Sequence, residues 1–191
     1  LSAAALAADL APEFTIVATV AVAPAINLDG WVPAALGTSQ QGYIAAIVAG
    51  FAAAYDLDVT DVLTPRAVEL LDEVKTSCSD PSIYAISSLS SSGAFVVEPT
   101  QIEPWATLLA ENSPERQLLA GPTLLVVGDR DRLWDASQLP EVVAGMCAVG
   151  STVATAVYLG EDRLSTNGAA RGEIHRFLAD RLMGIPFDAD C

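Results

Sequence analysis

The chain has 191 residues, enough for one substantial core, and its 52% hydrophobic content favours a globular α/β protein over a disordered chain. Nine basic against 24 acidic residues give a formal net charge of −15, which argues against nucleic acid or an anionic membrane surface as partner. No run of about 18 apolar residues is free of charge and proline, so the sequence predicts no membrane-spanning helix.

The first third of the chain alternates helix and strand signals. Residues 1–11 predict an Ala-rich helix that ends at Pro12, and residues 14–22 form an apolar, β-branched run typical of a strand buried on both faces. Turn signals in residues 24–33 predict irregular structure. Apolar residues at helical spacing in residues 40–55 predict a second helix.

The start of the chain suggests an incomplete protein. It begins at Leu1 rather than Met and opens directly in helical sequence. We expect an amphipathic helix whose upstream partner strand is missing. The alternative is the remnant of a signal peptide, but no basic segment precedes it and Asp9 interrupts the apolar run.

The middle of the chain contains one clear helix start and a serine-rich stretch. Thr64 fits an N-cap and Pro65 the first helical position, so a helix should run to about Cys78. Residues 79–97 predict the least structured segment. None of its serines lies in a G-x-S-x-G nucleophile elbow, so we expect loop residues at Ser87, Ser88, Ser90, Ser91 and Ser92.

After a short helix at residues 105–110, strand and helix signals alternate at residues 123–127, 136–147, 152–158 and 169–183. This βαβα order predicts a parallel sheet with right-handed crossovers. The mostly helical residues 28–118 would then be an insertion into a core formed by residues 1–27 and 119–191.

The strand at residues 123–127 leads into two aspartates, Asp129 and Asp131. Catalytic groups of open α/β sheets gather at the carboxyl ends of strands, so Asp131 is well placed to be the acid of a nucleophile–acid–base triad. The base should follow the next strand, but residues 160–166, GEDRLST, contain no histidine. The only histidine, His175, falls in the last predicted helix as a surface or half-buried residue.

A metal site is the weaker interpretation of these acidic loops. Their carboxylates are numerous, but the spacing matches no calcium-binding loop, and no cofactor is implied. The residues concerned are Asp129, Asp131, Asp135, Glu161 and Asp162.

The cysteines leave two alternatives open. A pair such as Cys147–Cys191 would indicate an oxidising, extracellular setting and leave Cys78 free or paired outside the chain. Otherwise all three are unpaired thiols.

Several segments in fixed order resemble the C-terminal part of the secretory lipase family. They are AALAADLAPEF with VAVAPAINL, GYIAAIVAGFAAAYDLDVTDVLTP, ELLDEVKTSC, PWATLLAENSPE, PTLLVVGDRD, VYLGEDR and FLADRLMGIPFDADC. That family consists of secreted α/β-hydrolases with a helical cap, often active on triacylglycerols. The resemblance implies the same fold, a cap at residues 28–118, and an ester or lipid substrate for the intact parent.

The resemblance also assigns roles within the expected site. Asp131 matches the triad acid, and Arg163 stands where the family has its histidine. The nucleophile elbow and the first strands would lie upstream of Leu1, outside this chain. A guanidinium stays protonated and cannot accept the serine proton, but it can form a charge-assisted pair with Asp131. We therefore expect no esterase activity from these 191 residues. The alternative is a non-catalytic relative that binds lipid or a protein partner.

Overall fold

The computed structural model describes residues 1–76 and 80–191, with the backbone alone for residues 73–76 and 80. Contacts divide the chain into two compact units, Leu1–Asn27 with Ser113–Cys191, and Leu28–Asn112. The helices and strands are, in order, α1 (Ser2–Leu10), β1 (Thr19–Val22), α2 (Leu28–Ala35), α3 (Gln41–Tyr55), α4 (Pro65–Thr76), α5 (Asp80–Ser87), α6 (Ser91–Ala94), α7 (Trp105–Glu111), β2 (Thr123–Gly128), α8 (Leu139–Ala148), β3 (Val153–Tyr158), α9 (Thr166–Ala169) and α10 (Arg171–Leu182).

The first unit is built on a parallel sheet in the order β1-β2-β3. Every residue of the central strand β2 is buried, because helices cover both faces. Leu125 and Val127 face a core shared with α1 and α8, whereas Leu124 and Val126 face a core that includes Phe177 of α10. The continuous apolar sequence of β2 thus follows from burial on two sides.

Strand β1 is shorter than the sequence predicts. The expected strand at residues 14–22 is regular only from Thr19, and Phe14 is 69% exposed. Thr19 pairs with Thr123, the first residue of β2, and its N–H donates to the carbonyl of Pro122. Because proline has no N–H to donate, the ladder with β2 begins at this point.

The prediction of irregular structure after β1 is wrong for the second half of that segment. This half forms helix α2, although Pro33 lies in its interior. The helix buries Trp31, Val32 and Ala35. Apolar burial on one face outweighs the hydrogen bond that a proline removes from a helix. The turn lies before the helix, at Asn27, whose φ of 54° is left-handed.

The serine-rich segment also differs from the prediction, because much of it is helical, as α5 and α6. The side-chain amide of the fully buried Gln41 donates to the carbonyls of Ile86 and Leu89, at 3.0 and 2.6 Å. The hydroxyl of Ser87 accepts from the N–H of Gly42 at 3.1 Å. These contacts with α3 join residues about 45 positions apart, beyond the reach of local sequence patterns.

A disulfide joins Cys147, in the last turn of α8, to Cys191, with a Cα–Cα distance of 5.7 Å. Cys78 lies outside the described residues, so its state is not part of this structure. In the part of the chain that is described, no helix is long and apolar enough to cross a membrane.

Helix α3 offers a matched pair of glycines to test its packing on α5. A Cβ at Gly42 would lie 2.1 Å from the carbonyl oxygen of Ile83, whereas a Cβ at Gly50 would meet nothing within 4 Å. We expect Gly42→Ala to lower the free energy of unfolding by about 1–3 kcal/mol through overpacking. Gly50→Ala should raise it by about 0.5–1 kcal/mol, because alanine favours the helix. Urea denaturation measures both, and equal effects would contradict the packing described.

Candidate functional site

The loops that follow β2 and β3 meet at the carboxyl end of the sheet. A Cβ at Gly128, the last residue of β2, would lie 2.3 Å from the carbonyl oxygen of Glu161, so glycine alone fits there. The N–H of Arg130 donates to that same oxygen at 3.0 Å. In return, the N–H of Gly160 donates to the carboxylate of Asp129 at 2.6 Å. The two loops are therefore joined by reciprocal hydrogen bonds.

Asp131 is the buried carboxylate of this junction, with its side chain 3% exposed. Its Oδ1 accepts from the N–H of Leu133 at 2.8 Å, which fixes the loop after β2. Arg163 approaches the same carboxylate, with Nε 3.4 Å from Oδ1 and Nη2 3.3 Å from Oδ2. The ion pair that the sequence suggested is thus present between these two loops.

Arg163 also reaches the end of β1. Its Nη1 donates to the carbonyl oxygen of Ala23 at 2.6 Å. Ala23 has a φ of 45°, a region that alanine seldom occupies, while its own N–H stays bonded to the carbonyl of Val126 in β2. One guanidinium therefore links the carboxyl ends of all three strands.

Asp162 shapes the loop that carries Arg163. Its Oδ1 accepts from the N–H groups of Leu164 and Ser165 and from the Ser165 hydroxyl. Hydrogen bonds from Ser165 and Leu164 lower the pKa of Asp162 below its ordinary value of 3.8. The stabilisation of the folded state by these hydrogen bonds is therefore present above pH 3.8. It is lost as the pH falls through the lower pKa that Asp162 has in the folded state.

The other residues considered from the sequence lie apart from this ion pair or serve the backbone. His175 is exposed on α10. Asp135 accepts the N–H of Ser137 ahead of α8, and Asp129 and Asp162 bond to backbone N–H groups as described. Among the described residues, no group of three or more His, Cys, Asp and Glu side chains could hold a metal ion.

The sequence did not predict the carbonyl of Ala23 as a partner of Arg163. The two residues are 140 positions apart, and a backbone oxygen leaves no mark in a side-chain pattern. The apolar segment ending at Pro24 was the single available signal, since it places a strand end near this edge of the sheet.

The site holds an ion pair between Asp131 and Arg163, but position 163 supplies no general base. The buried Asp131 carboxylate faces the loop after β3, and its partner there is a permanently protonated guanidinium. A guanidinium can hold an anion or a carbonyl oxygen, but it cannot take up the proton of an attacking hydroxyl. Arg163, Asp131 and the carbonyl of Ala23 therefore form a clamp between the loops.

Comparison with known proteins agrees with this description of the fold. No protein-family model matches the chain, and no curated protein matches it. Two solved structures of Candida antarctica lipase A do. One has a TM-score of 0.80 at 16% identity, over 99% of this chain and 47% of that one. The other, of the closed state, has a TM-score of 0.76 at 16% identity, over 97% and 46%. The chain thus spans about half the length of these structures.

The chain has an α/β-hydrolase-type fold, as expected from the sequence. A small parallel sheet flanked by helices and the likeness to lipase A both support this assignment. Within that class, the fold is similar to that of Candida antarctica lipase A.

A double-mutant cycle should show that Arg163 and Asp131 are energetically coupled. We expect Arg163→Met and Asp131→Asn each to lower the free energy of unfolding. The loss in the double variant should be smaller than the sum of the two single losses by about 1–2 kcal/mol. This lies below the cost of breaking a fully buried pair, because the Arg163 side chain is 32% exposed. Free energies of unfolding of the four proteins give the coupling. A coupling free energy near zero would show that the ion pair does not stabilise the folded protein.

Proposed function

We propose that this chain is the acid-bearing part of a secreted, lipase- or carboxylesterase-like serine hydrolase of lipid catabolism. Its substrate class would be triacylglycerols or other esters, and Asp131 would occupy the position of the triad acid. In this proposal, residues 28–118 form the helical cap of the hydrolase. The nucleophile and the oxyanion hole would come from polypeptide beyond these 191 residues.

The observation that carries the proposal is the position of Asp131. It is a buried carboxylate just beyond the central strand, and it faces a side chain from the loop after the neighbouring strand. An acid and a base in serine hydrolases of this class come from two such loops. The lipase-like fold supports the same assignment, and the disulfide between Cys147 and Cys191 supports an extracellular setting.

Arg163 favours a second candidate, a non-catalytic relative retained to bind lipid or a protein partner. Its guanidinium takes the position of the base and binds both Asp131 and the Ala23 carbonyl. A histidine at position 163 would require a rearrangement of that clamp, and hydrolysis would also require a nucleophile. A G-x-S-x-G elbow in a longer polypeptide containing this chain would favour the hydrolase, and a decayed elbow the binding protein.

We expect the 191-residue chain to hydrolyse a short-chain p-nitrophenyl ester no faster than buffer. Removal of the base from a triad leaves about 10³- to 10⁴-fold acceleration from binding and the oxyanion hole. This sequence contains no nucleophile elbow, which would supply the attacking hydroxyl and one N–H of the oxyanion hole. Arg163→His should remain equally inactive for the same reason.

The decisive control is Asp131→Asn. Hydrolysis by the unmodified chain that disappears in Asp131→Asn, and that a serine-directed phosphonate blocks, would overturn the proposal that the nucleophile lies beyond these 191 residues. Hydrolysis that is unchanged in Asp131→Asn would point to contamination by another esterase.

A further inference from the structure

The end of the chain leaves α10 without forming another helix or strand, and we call residues 185–191 the C-terminal strap. Its first anchor is aromatic. The ring of Phe187 meets that of Phe177 edge to face, with centroids 5.4 Å apart. The guanidinium of Arg181 lies 4.8 Å from the centre of the Phe187 ring and donates to the carbonyl of Ile185.

The strap then follows the free edge of the sheet. β3 is an edge strand, and its register with β2 directs the N–H and C=O groups of Val153 and Thr155 away from β2. The N–H of Asp190 donates to the carbonyl of Val153 at 2.8 Å, and the hydroxyl of Thr155 donates to the Asp190 carboxylate at 2.7 Å. The strap therefore occupies the first half of this edge.

The second anchor is covalent. The disulfide to Cys147 fastens Cys191 beside Ser151, whose carbonyl oxygen lies 3.3 Å from Sγ of Cys191. Cys191 is exposed, so a reductant can reach it. In the part of the strap between Phe187 and Cys191 every residue is exposed, so burial holds it weakly.

We propose that the Cys147–Cys191 disulfide is a redox latch that keeps the strap on the β3 edge and whose reduction uncovers that edge. A dithiol supplies the two electrons. One of its thiolates attacks Sγ of Cys191, and Cys147 leaves as a thiolate. The second dithiol sulfur then releases Cys191 as a thiolate and closes a cyclic disulfide, and the two cysteines each take up a proton.

The contacts explain why the covalent bond decides the position of residues 188–191. Without it, this segment keeps two hydrogen bonds, both made by the exposed Asp190, with the carbonyl of Val153 and the hydroxyl of Thr155, and chain ends held by so few contacts fray. An uncovered strand edge offers unpaired N–H and C=O groups to another strand, so the latch would protect the sheet from edge-to-edge pairing.

Amide hydrogen exchange of the whole chain, with and without dithiothreitol, tests the latch. We expect reduction to speed exchange of the Asp190 N–H at least tenfold. The N–H groups of Leu125 and Val127, directed from β2 towards β3, should change less than twofold. Unchanged exchange at Asp190, or an equal increase in β2, would overturn the proposal. The second result would mean that reduction unfolds the unit.

Two variants separate the anchors. The double change Cys147→Ser with Cys191→Ser should reproduce the fast exchange at Asp190 and respond no further to dithiothreitol. Phe187→Ala removes the aromatic anchor but keeps the latch, so the Asp190 N–H should stay slow until the protein is reduced. Fast exchange in oxidised Phe187→Ala would show that the aromatic contact fastens the strap and would overturn the proposal. Reducing the folded wild type gives the same comparison should the cysteine variant not fold.

Discussion

The close approach of two backbones at Gly128 sets the geometry of the candidate site. With no side chain at the end of β2, the carbonyl of Glu161 can lie against it and accept the N–H of Arg130. That contact brings the loop after β3 over the loop after β2, and Arg163 and Asp131 meet as a result. The Ala23 carbonyl is then within reach of the same guanidinium, so the ends of three strands are held by one cation.

The ion pair in this clamp acts on the resting fold. An orienting acid matters in catalysis because it favours the charged form of a base that must gain a proton in the transition state. Arginine already carries its proton, so the favourable interaction with Asp131 exists in the resting protein and is not available to lower a barrier. In the resting protein the pair therefore joins the two loops.

The sequence predicted the elements whose pattern is local and strongly apolar. The parallel sheet followed from the alternation of strands and helices, and the ion pair between Asp131 and Arg163 was expected from the resemblance to the secretory lipase family. Helix α2 was missed because Asp29-Gly30 and Pro33 are turn signals that packing of Trp31 overrides. Helix α5 was missed because its serines satisfy contacts with α3, such as Ser87 with Gly42, that no neighbouring residue reveals. The Ala23 carbonyl is invisible to any pattern of side chains.

The most direct test asks whether a side chain at position 163 faces Asp131 as a catalytic base would. Arg163→His places an imidazole there, and NMR can follow its titration with and without the further change Asp131→Asn. An adjacent carboxylate favours the imidazolium, so the pKa of the introduced imidazole should fall when Asp131→Asn is added. Equal pKa values in the two backgrounds would contradict the assignment of Asp131 as the acid of a triad.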